Sequence, residues 1–552
     1  MKNEKVHLSK LTLLALLFAT ISCQTDAPNQ MTEISLKRNY SLSSASQCDS
    51  QEEEIDYTVF KMYSDGKRIG DVMPFFDESN SKFLIYNLKD IWDDPTHKRH
   101  PWYAFETNDF YSYSEPPNEI VSCSSNGCDQ DYALGTGSVI KKDGIYYAFY
   151  TGHNPNYPSE CVSKKEGVML ATSSNSTAGF TKSNSFETIY PPINQNFDEQ
   201  NNFRDPFVFE DDGKYHMLIS ARKRVNGTFR GVIAHYKSTD LIAWDYNGII
   251  YDGGSINYFM MECPEIFKEG DYYYLIFSDI NTRNVYYRKS SSLEGPWEYP
   301  NGPDRFDGNG IYGAKTASDG IDRYIFGWTA VNSEHSDDGN PIWGGNLIVH
   351  KLYQKADGDL AVCIPHTIKN HLEEIDLTIN KQSQWGTVEK LDANNESYTL
   401  ISQEDADIAN VLYDPISAEI YKINATVSYS ESSKDFGFFV GACDGFDDVI
   451  SLRFVPNTNC FRLDKEKRTM ITENTIPVTD VPISLDPNTE YDVQIIVENS
   501  IVTVYIDNHK TLSCRIYRAT NKTWGIFVDN STATFKNIEV TSKNVEVATS
   551  IH

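Results

Sequence analysis

Asp211-Asp212-Gly213-Lys214-Tyr215-His216-Met217-Leu218-Ile219 puts an acidic, glycine-containing turn directly before an aromatic and aliphatic run. Glycine supplies the positive φ of a tight turn, and the run that follows suits a pleated, half-buried surface, so the stretch reads as the turn and second strand of a hairpin. The unit recurs as Lys142-Asp143-Gly144 before Ile145–Tyr150 and as Glu269-Gly270-Asp271 before Tyr272–Phe277. With two looser copies, five are found, around 76–86, 139–150, 208–219, 266–277 and 311–328. Five irregularly spaced β-units without helical periodicity between them predict a five-bladed β-propeller over 56–365, its blades carrying different loop insertions.

Beyond Pro365 a polar stretch leads to a second set of strand patterns, including 417–429, 436–443, 449–455, 491–497 and 501–507. Several alternate as half-buried strands do, which predicts a β-sandwich over 366–552 and an all-β chain overall. A chain of 552 residues is long enough for two cores. Its formal charge of −29 argues against nucleic acid as a partner and gives no attraction to anionic lipid, while leaving a neutral substrate unpenalised.

The first residues read as a targeting segment. Lys2, Lys5 and Lys10 precede an apolar run over 11–21 that is short for a membrane span, and Ser22-Cys23 follows. This resembles a bacterial lipoprotein signal over 1–23, which implies lipidation at Cys23, export, and a membrane association made only through that anchor. Residues 24–55 are polar and aperiodic and read as a flexible linker. In an exported protein Cys123 and Cys128, within Cys-Ser-Ser-Asn-Gly-Cys, are candidates for a disulfide across a turn, and the other cysteines are read as mostly buried thiols. No paired Cys/His spacing indicates a metal, and nothing calls for a cofactor.

Three carboxylates stand in apolar, aromatic surroundings, each with a proline a few residues on: Gly70-Asp71-Val72-Met73-Pro74, Arg204-Asp205-Pro206 and Glu262-Cys263-Pro264-Glu265. Ionised carboxylates are seldom buried without a function or a partner. Strand ends converging on a propeller axis bring such distant residues together, and the prolines fit strand edges, where a missing N–H is tolerated. Glycoside cleavage needs one carboxylate on one face of the sugar and a protonated acid at the leaving oxygen, with room for a third group on the hydroxyls.

In that order, Asp, Arg-Asp-Pro and Glu-Cys resemble the blocks of glycoside hydrolase family 32, the invertases, inulinases, levanases and related fructosyltransferases. Supporting segments are Gly135-Thr136-Gly137-Ser138, Gly313-Ala314-Lys315-Thr316, Phe326-Gly327-Trp328 and Trp343-Gly344-Gly345-Asn346. The resemblance implies a retaining β-fructosidase acting on fructans or fructo-oligosaccharides: Asp71 as nucleophile, Glu262 as acid/base, Asp205 as transition-state stabiliser. It implies Arg204, Trp102, Trp328 and Trp343 on the substrate. Glu265 is read as tuning Glu262 or solvated, and His153 as a structural histidine near the pocket. The departure lies at the first acid, where the family usually has Asn-Asp-Pro. Trp92-Asp93-Asp94-Pro95 offers a closer match, but Asp71 precedes the aromatic strand 83–86, as the family order requires, and Asp94 follows it. The other readings are a fructosyltransferase using the same acids, an inverting arabinanase-type propeller, and a non-catalytic glycan-binding lipoprotein.

Overall fold

The computed structural model describes residues 57–91, 99–225, 227–403, 408–443, 446–472 and 475–544. Cys23 and Asp94 lie outside them.

The five sequence repeats are the inner hairpins of five blades. The innermost strands are Ile69–Asp77, Ala133–Lys142, Phe203–Asp211, Met261–Glu269 and Tyr312–Ser318, each paired antiparallel with the strand that follows it. Two hairpins turn on Asp-Gly with both residues at positive φ, Asp143 (51°) with Gly144 (79°) and Asp212 (49°) with Gly213 (69°). A Cβ at either glycine would meet nothing within 4 Å, so the backbone angle alone selects glycine. The last blade meets the first where Ile69 pairs with Gly345.

Every innermost strand carries an irregularity near its start. Register shifts fall between Gly70 and Met73, Gly135 and Gly137, Arg204 and Phe207, Glu262 and Glu265, and Tyr312 and Lys315. At four of the five a residue takes a left-handed backbone: Asp71 (φ 47°), Asp205 (60°), Cys263 (51°) and Gly313 (59°). Such a bulge frees ladder groups and re-aims side chains. It also admits Pro206 and Pro264, which fall inside the shifted intervals on strands that edge their sheets.

The second region is built on two long strands, Ile420–Ala442 and Thr523–Ser542, which pair with each other and link the layers around a core that includes Val411, Ile423, Phe438, Phe454, Trp524 and Phe535. Within it, the fully buried Arg453 and Arg468, with Lys434, pair with Asp435, Asp464 and Asp529, three cations against three carboxylates. The sandwich is joined to the propeller by polar contacts between residues far apart in sequence. Glu498 accepts the N–H groups of Thr58, Val59 and Phe60 (2.7–3.4 Å), and Asp307 accepts the N–H and hydroxyl of Ser513 (2.8 and 2.7 Å).

The turn-closing disulfide expected at Cys123–Cys128 does not form. Cys128 pairs with Cys161, 33 residues away, and Cys123 is a free thiol. The partner is set by the loops. Asn154 donates to the carbonyls of Gly127 (3.0 Å) and Asp129 (2.7 Å), and Asn156 to Gly127 (2.9 Å), which draws the segment after the second strand of blade two against the segment before its first.

Candidate active site

Because the five bulges fall at the same end of the five inner strands, the residues at them form a ring in two tiers. One tier is the bulge residue: Asp71, Thr136, Asp205, Cys263, Gly313. The other is the residue just before it: Gly70, Gly135, Arg204, Glu262, Tyr312. Contacts run between neighbouring blades within each tier. In the first, the Thr136 hydroxyl donates to Asp71 Oδ2 (2.9 Å), and the Cys263 N–H donates to Asp205 Oδ2 (3.0 Å). In the second, Arg204 donates from Nε to Glu262 Oε1 (3.1 Å) and also from Nη2, while the Tyr312 hydroxyl donates to Glu262 Oε2. The three acids thus occupy one site, as the sequence predicts, but not equivalently. Asp71 and Asp205 are bulge residues and Glu262 stands one position earlier.

Asp71 is half-buried, and its second oxygen takes the Trp328 indole N–H (3.3 Å). Burial, then the charge of Glu262, raises its pKa to about 6 against the hydrogen bonds from Thr136 and Trp328 and the nearby Lys315 cation. Gly313 is required here, since a Cβ would lie 2.9 Å from Trp328 Nε1 and 3.1 Å from Asp71 Oδ1. Asp205 is buried, and its N–H donates to the Thr151 hydroxyl (2.9 Å). Burial pushes its pKa up to about 7, with Arg204 opposing and Glu262 and Asp71 reinforcing the rise. The proline missing after Asp71 is replaced by Val72, fully buried, and the left-handed bulge persists without it.

Arg204 contacts an acid rather than open space. Its Nη1 reaches both oxygens of Glu166 (3.3 and 3.4 Å), of which Oε2 also accepts the Phe203 N–H (2.8 Å). Burial works against ionisation of Glu166, but the Arg204 charge, His153 and the Phe203 N–H outweigh it and hold its pKa well below the usual range. His153 lies behind this pair, its Nδ1 3.6 Å from Glu166 Oε1. Glu166 belongs to the site and the motif reading missed it; the available signal is an acid opening a strand, 166–173, whose next five residues carry no polar side chain.

The tryptophans separate into three roles. Trp102 is fully buried, donates to the Gly135 carbonyl (3.0 Å) and packs on Tyr86 and Tyr150, so it supports the second inner strand and shows no face to a sugar. Trp328 is also buried, with its N–H edge on Asp71. Trp343 is half-buried at the rim, stacked on His100 at 4.0 Å and close enough to Gly70 that a Cβ there would lie 2.4 Å from its ring. Glu265 neither contacts Glu262 nor meets solvent. Past the bulge it turns to the other end of the strands, where it accepts the N–H (2.5 Å) and hydroxyl of Thr316 beside a cavity of about 370 Å³ that contains residues of all five inner strands. Among the described residues no three His, Cys, Asp or Glu form a cluster able to hold a metal ion.

A propeller whose inner strands offer clustered carboxylates to one mouth, followed by a β-sandwich, is the architecture of a class of glycoside-cleaving proteins. The model of the glycosyl hydrolases family 32 N-terminal domain matches residues 80–359, and that of the family's C-terminal domain matches 380–542. The chain belongs to glycosyl hydrolase family 32. Similar relatives include a raffinose invertase of Escherichia coli, 28% identical over 30% of this chain and 33% of its own length. A sucrose-6-phosphate hydrolase of the same organism is 23% identical over 52% of this chain and 59% of its own. The matches thus span less than two thirds of these relatives. The fold is similar to that of a sucrose-6-phosphate hydrolase from Lactobacillus gasseri (TM-score 0.64, 20% identity, 89% of this chain and 93% of that one). It is also similar to fructan 1-exohydrolase IIa from Cichorium intybus (0.67, 14%, 90% and 98%).

Proposed function

We propose that this protein is a retaining glycosidase that cleaves β-fructosidic bonds in fructans or fructo-oligosaccharides. The observation that carries the reading is the two-tier ring, which holds one acid between Thr136 and Trp328 and another between Arg204 and Tyr312. Similar proteins support the sugar class: the Cichorium enzyme has been solved with 1-kestose, and a silkworm family 32 β-fructofuranosidase with sucrose.

In the proposed reaction Asp71 as carboxylate attacks the anomeric carbon of a terminal fructosyl unit while Glu262 gives its proton to the departing glycosidic oxygen. A covalent fructosyl-Asp71 ester and a free leaving saccharide result. Glu262, now anionic, takes a proton from water, the oxygen adds to the anomeric carbon, and the ester bond breaks. Fructose leaves with its configuration retained and both acids return to their starting forms. Asp205 holds ring hydroxyls, and Arg204 orients Glu262. Purified protein incubated with levan, inulin and sucrose, with products resolved by size and the first anomer read by NMR, tests this. Release of fructose with retained configuration is expected; inversion, or binding without release, overturns it.

Glu166 makes a separate expectation. Glu166→Gln removes one anionic partner of a buried guanidinium and is expected to cost about 3 kcal/mol at pH 7 and to lower kcat about tenfold. The native pair stabilises the fold above the ordinary glutamate value of 4.5. Thermal melts should therefore show the gap between variant and wild type narrowing as the pH falls below it.

We further propose export with lipid attachment at Cys23. A disulfide at Cys128–Cys161 fits an oxidising compartment. Labelled palmitate should enter the wild-type protein and not Cys23→Ala; equal labelling of both removes the anchor from the reading.

A further inference from the structure

Between the second and third strands of blade four, Asp279 clasps a tight turn, accepting the N–H groups of Asn281 (3.2 Å) and Thr282 (3.3 Å) and the Thr282 hydroxyl (2.8 Å). Asp279 pairs with Met261, the residue before Glu262, so this turn stands at the acid-bearing end of the blade. Arg283 closes the turn, its N–H on the Asp279 carbonyl (2.8 Å), with φ at 59°. A long branched-head residue is unfavoured in the left-handed region, where Gly, Asn and Asp are at home, and such backbone strain persists when the surroundings impose it. Three other non-glycine residues at the site, Asp71, Asp205 and Cys263, share this conformation.

The surroundings are aromatic. The Arg283 guanidinium carbon lies 5.3 Å from the ring of Tyr312 and 5.3 Å from that of Trp328. These two rings meet edge to face, with centroids 5.8 Å apart and planes at 87°. Each has already been assigned a separate partner: the Tyr312 hydroxyl holds Glu262, and the Trp328 N–H holds Asp71. A single cation therefore rests on both donors, and a half-buried guanidinium on aromatic faces is attracted more strongly than a fully exposed one.

We propose that Arg283 is a positioning residue that braces Tyr312 and Trp328 together and through them fixes the spacing of Asp71 and Glu262. It touches neither acid as a hydrogen-bond partner in this arrangement; it acts through the two rings. The inference rests on the β-fructosidase reading above. It adds that the two acids are set by one shared support, contributed by a turn that carries no family motif.

The test compares Arg283→Met, Arg283→Lys and Arg283→Gln with the wild type on the fructoside that the wild type hydrolyses. Among the described residues, the groups facing Asp71 are Thr136, Trp328, Glu262, Asp205, Cys263, Tyr312 and the cations Lys315 and Arg283. Loss of a positive charge disfavours the Asp71 anion, so the acid limb of the pH–kcat/KM profile should move to higher pH by roughly half a unit in the Met variant. Its kcat should fall about 10- to 100-fold, with KM changed less than about threefold. Lysine restores the charge but cannot rest on both rings, so Arg283→Lys should return the limb while recovering only part of kcat. A purely structural arginine would lower the melting temperature and leave the limb in place. Arg283→Met with kcat within about twofold of wild type and an unmoved limb overturns the brace. Should the Met variant fail to fold, the Lys and Gln pair carries the same comparison, and equal limbs in those two overturn it. Wild-type protein that releases no fructose would instead defeat the underlying reading, which separates the two failures.

Discussion

Asp71→Asn is expected to lower kcat on a fructoside by about 10⁴-fold while leaving substrate binding near the wild-type value, because an amide lacks the anionic oxygen that would form the ester. The variant should still fold. Its carbonyl oxygen can accept from Thr136 or from Trp328, though not from both as the carboxylate does. Single-turnover assays with binding followed by calorimetry would separate the two effects. Activity near wild type would show that the nucleophile lies elsewhere. The pH dependence follows from the same residue. With its pKa raised to about 6 by burial and the Glu262 charge, Asp71 is increasingly protonated below that pH, and wild-type kcat/KM should decline there.

Asp205→Asn is expected to act in opposite directions on activity and on stability. Turnover should fall about 10³-fold, since in the proposed reaction the carboxylate assigned to stabilise developing positive charge on the sugar would be replaced by a neutral group. Stability should rise. The folded-state pKa of Asp205 is about 7 against an ordinary 3.8, so the folded chain holds a proton that the unfolded chain has lost between those values. Stability therefore decreases as the pH rises through that window, and above it the wild type carries a buried charge that the asparagine variant lacks. At pH 8 the variant should be more stable by on the order of 2–4 kcal/mol, the gain vanishing near pH 4. Melting temperatures at the two pH values check this. A variant less stable than wild type at pH 8 would mean that Arg204 compensates Asp205 fully. Stability given up to hold a functional charge is a common trade at active sites.

The fold was largely legible because its signals are local. The Asp-Gly turns and aromatic strands repeat within ten or so residues, and each repeat is the inner hairpin of a blade. Asp71, Asp205 and Glu262 were legible for a similar reason: an acid next to a backbone-restricting residue in an apolar strand marks a bulge. What escaped is what the ring supplies from other blades. Thr136, Glu166, Tyr312 and Arg283 act through side-chain contacts 29 to 65 residues distant, which no local sequence pattern joins. Trp102 misled because a tryptophan beside a motif looks the same whether it faces a ligand or props a strand. The disulfide misled because nearness in sequence favoured Cys123, whereas the pairing was decided by two asparagine side chains that draw separate loops together. Glu265, read as tuning Glu262 or solvated, does neither, because the bulge shifts the facing of the residues after it and turns this carboxylate onto Thr316.

Seen as architecture, the bulge is a mounting bracket issued in five copies, and only three copies bear an acid. Of the two remaining, the Gly313 bracket is closed to alteration, because any side chain there would strike Trp328 and Asp71. The Thr136 bracket already holds a side chain, its hydroxyl on Asp71, so it is the position at which a fourth acid could be fitted without rebuilding the wheel.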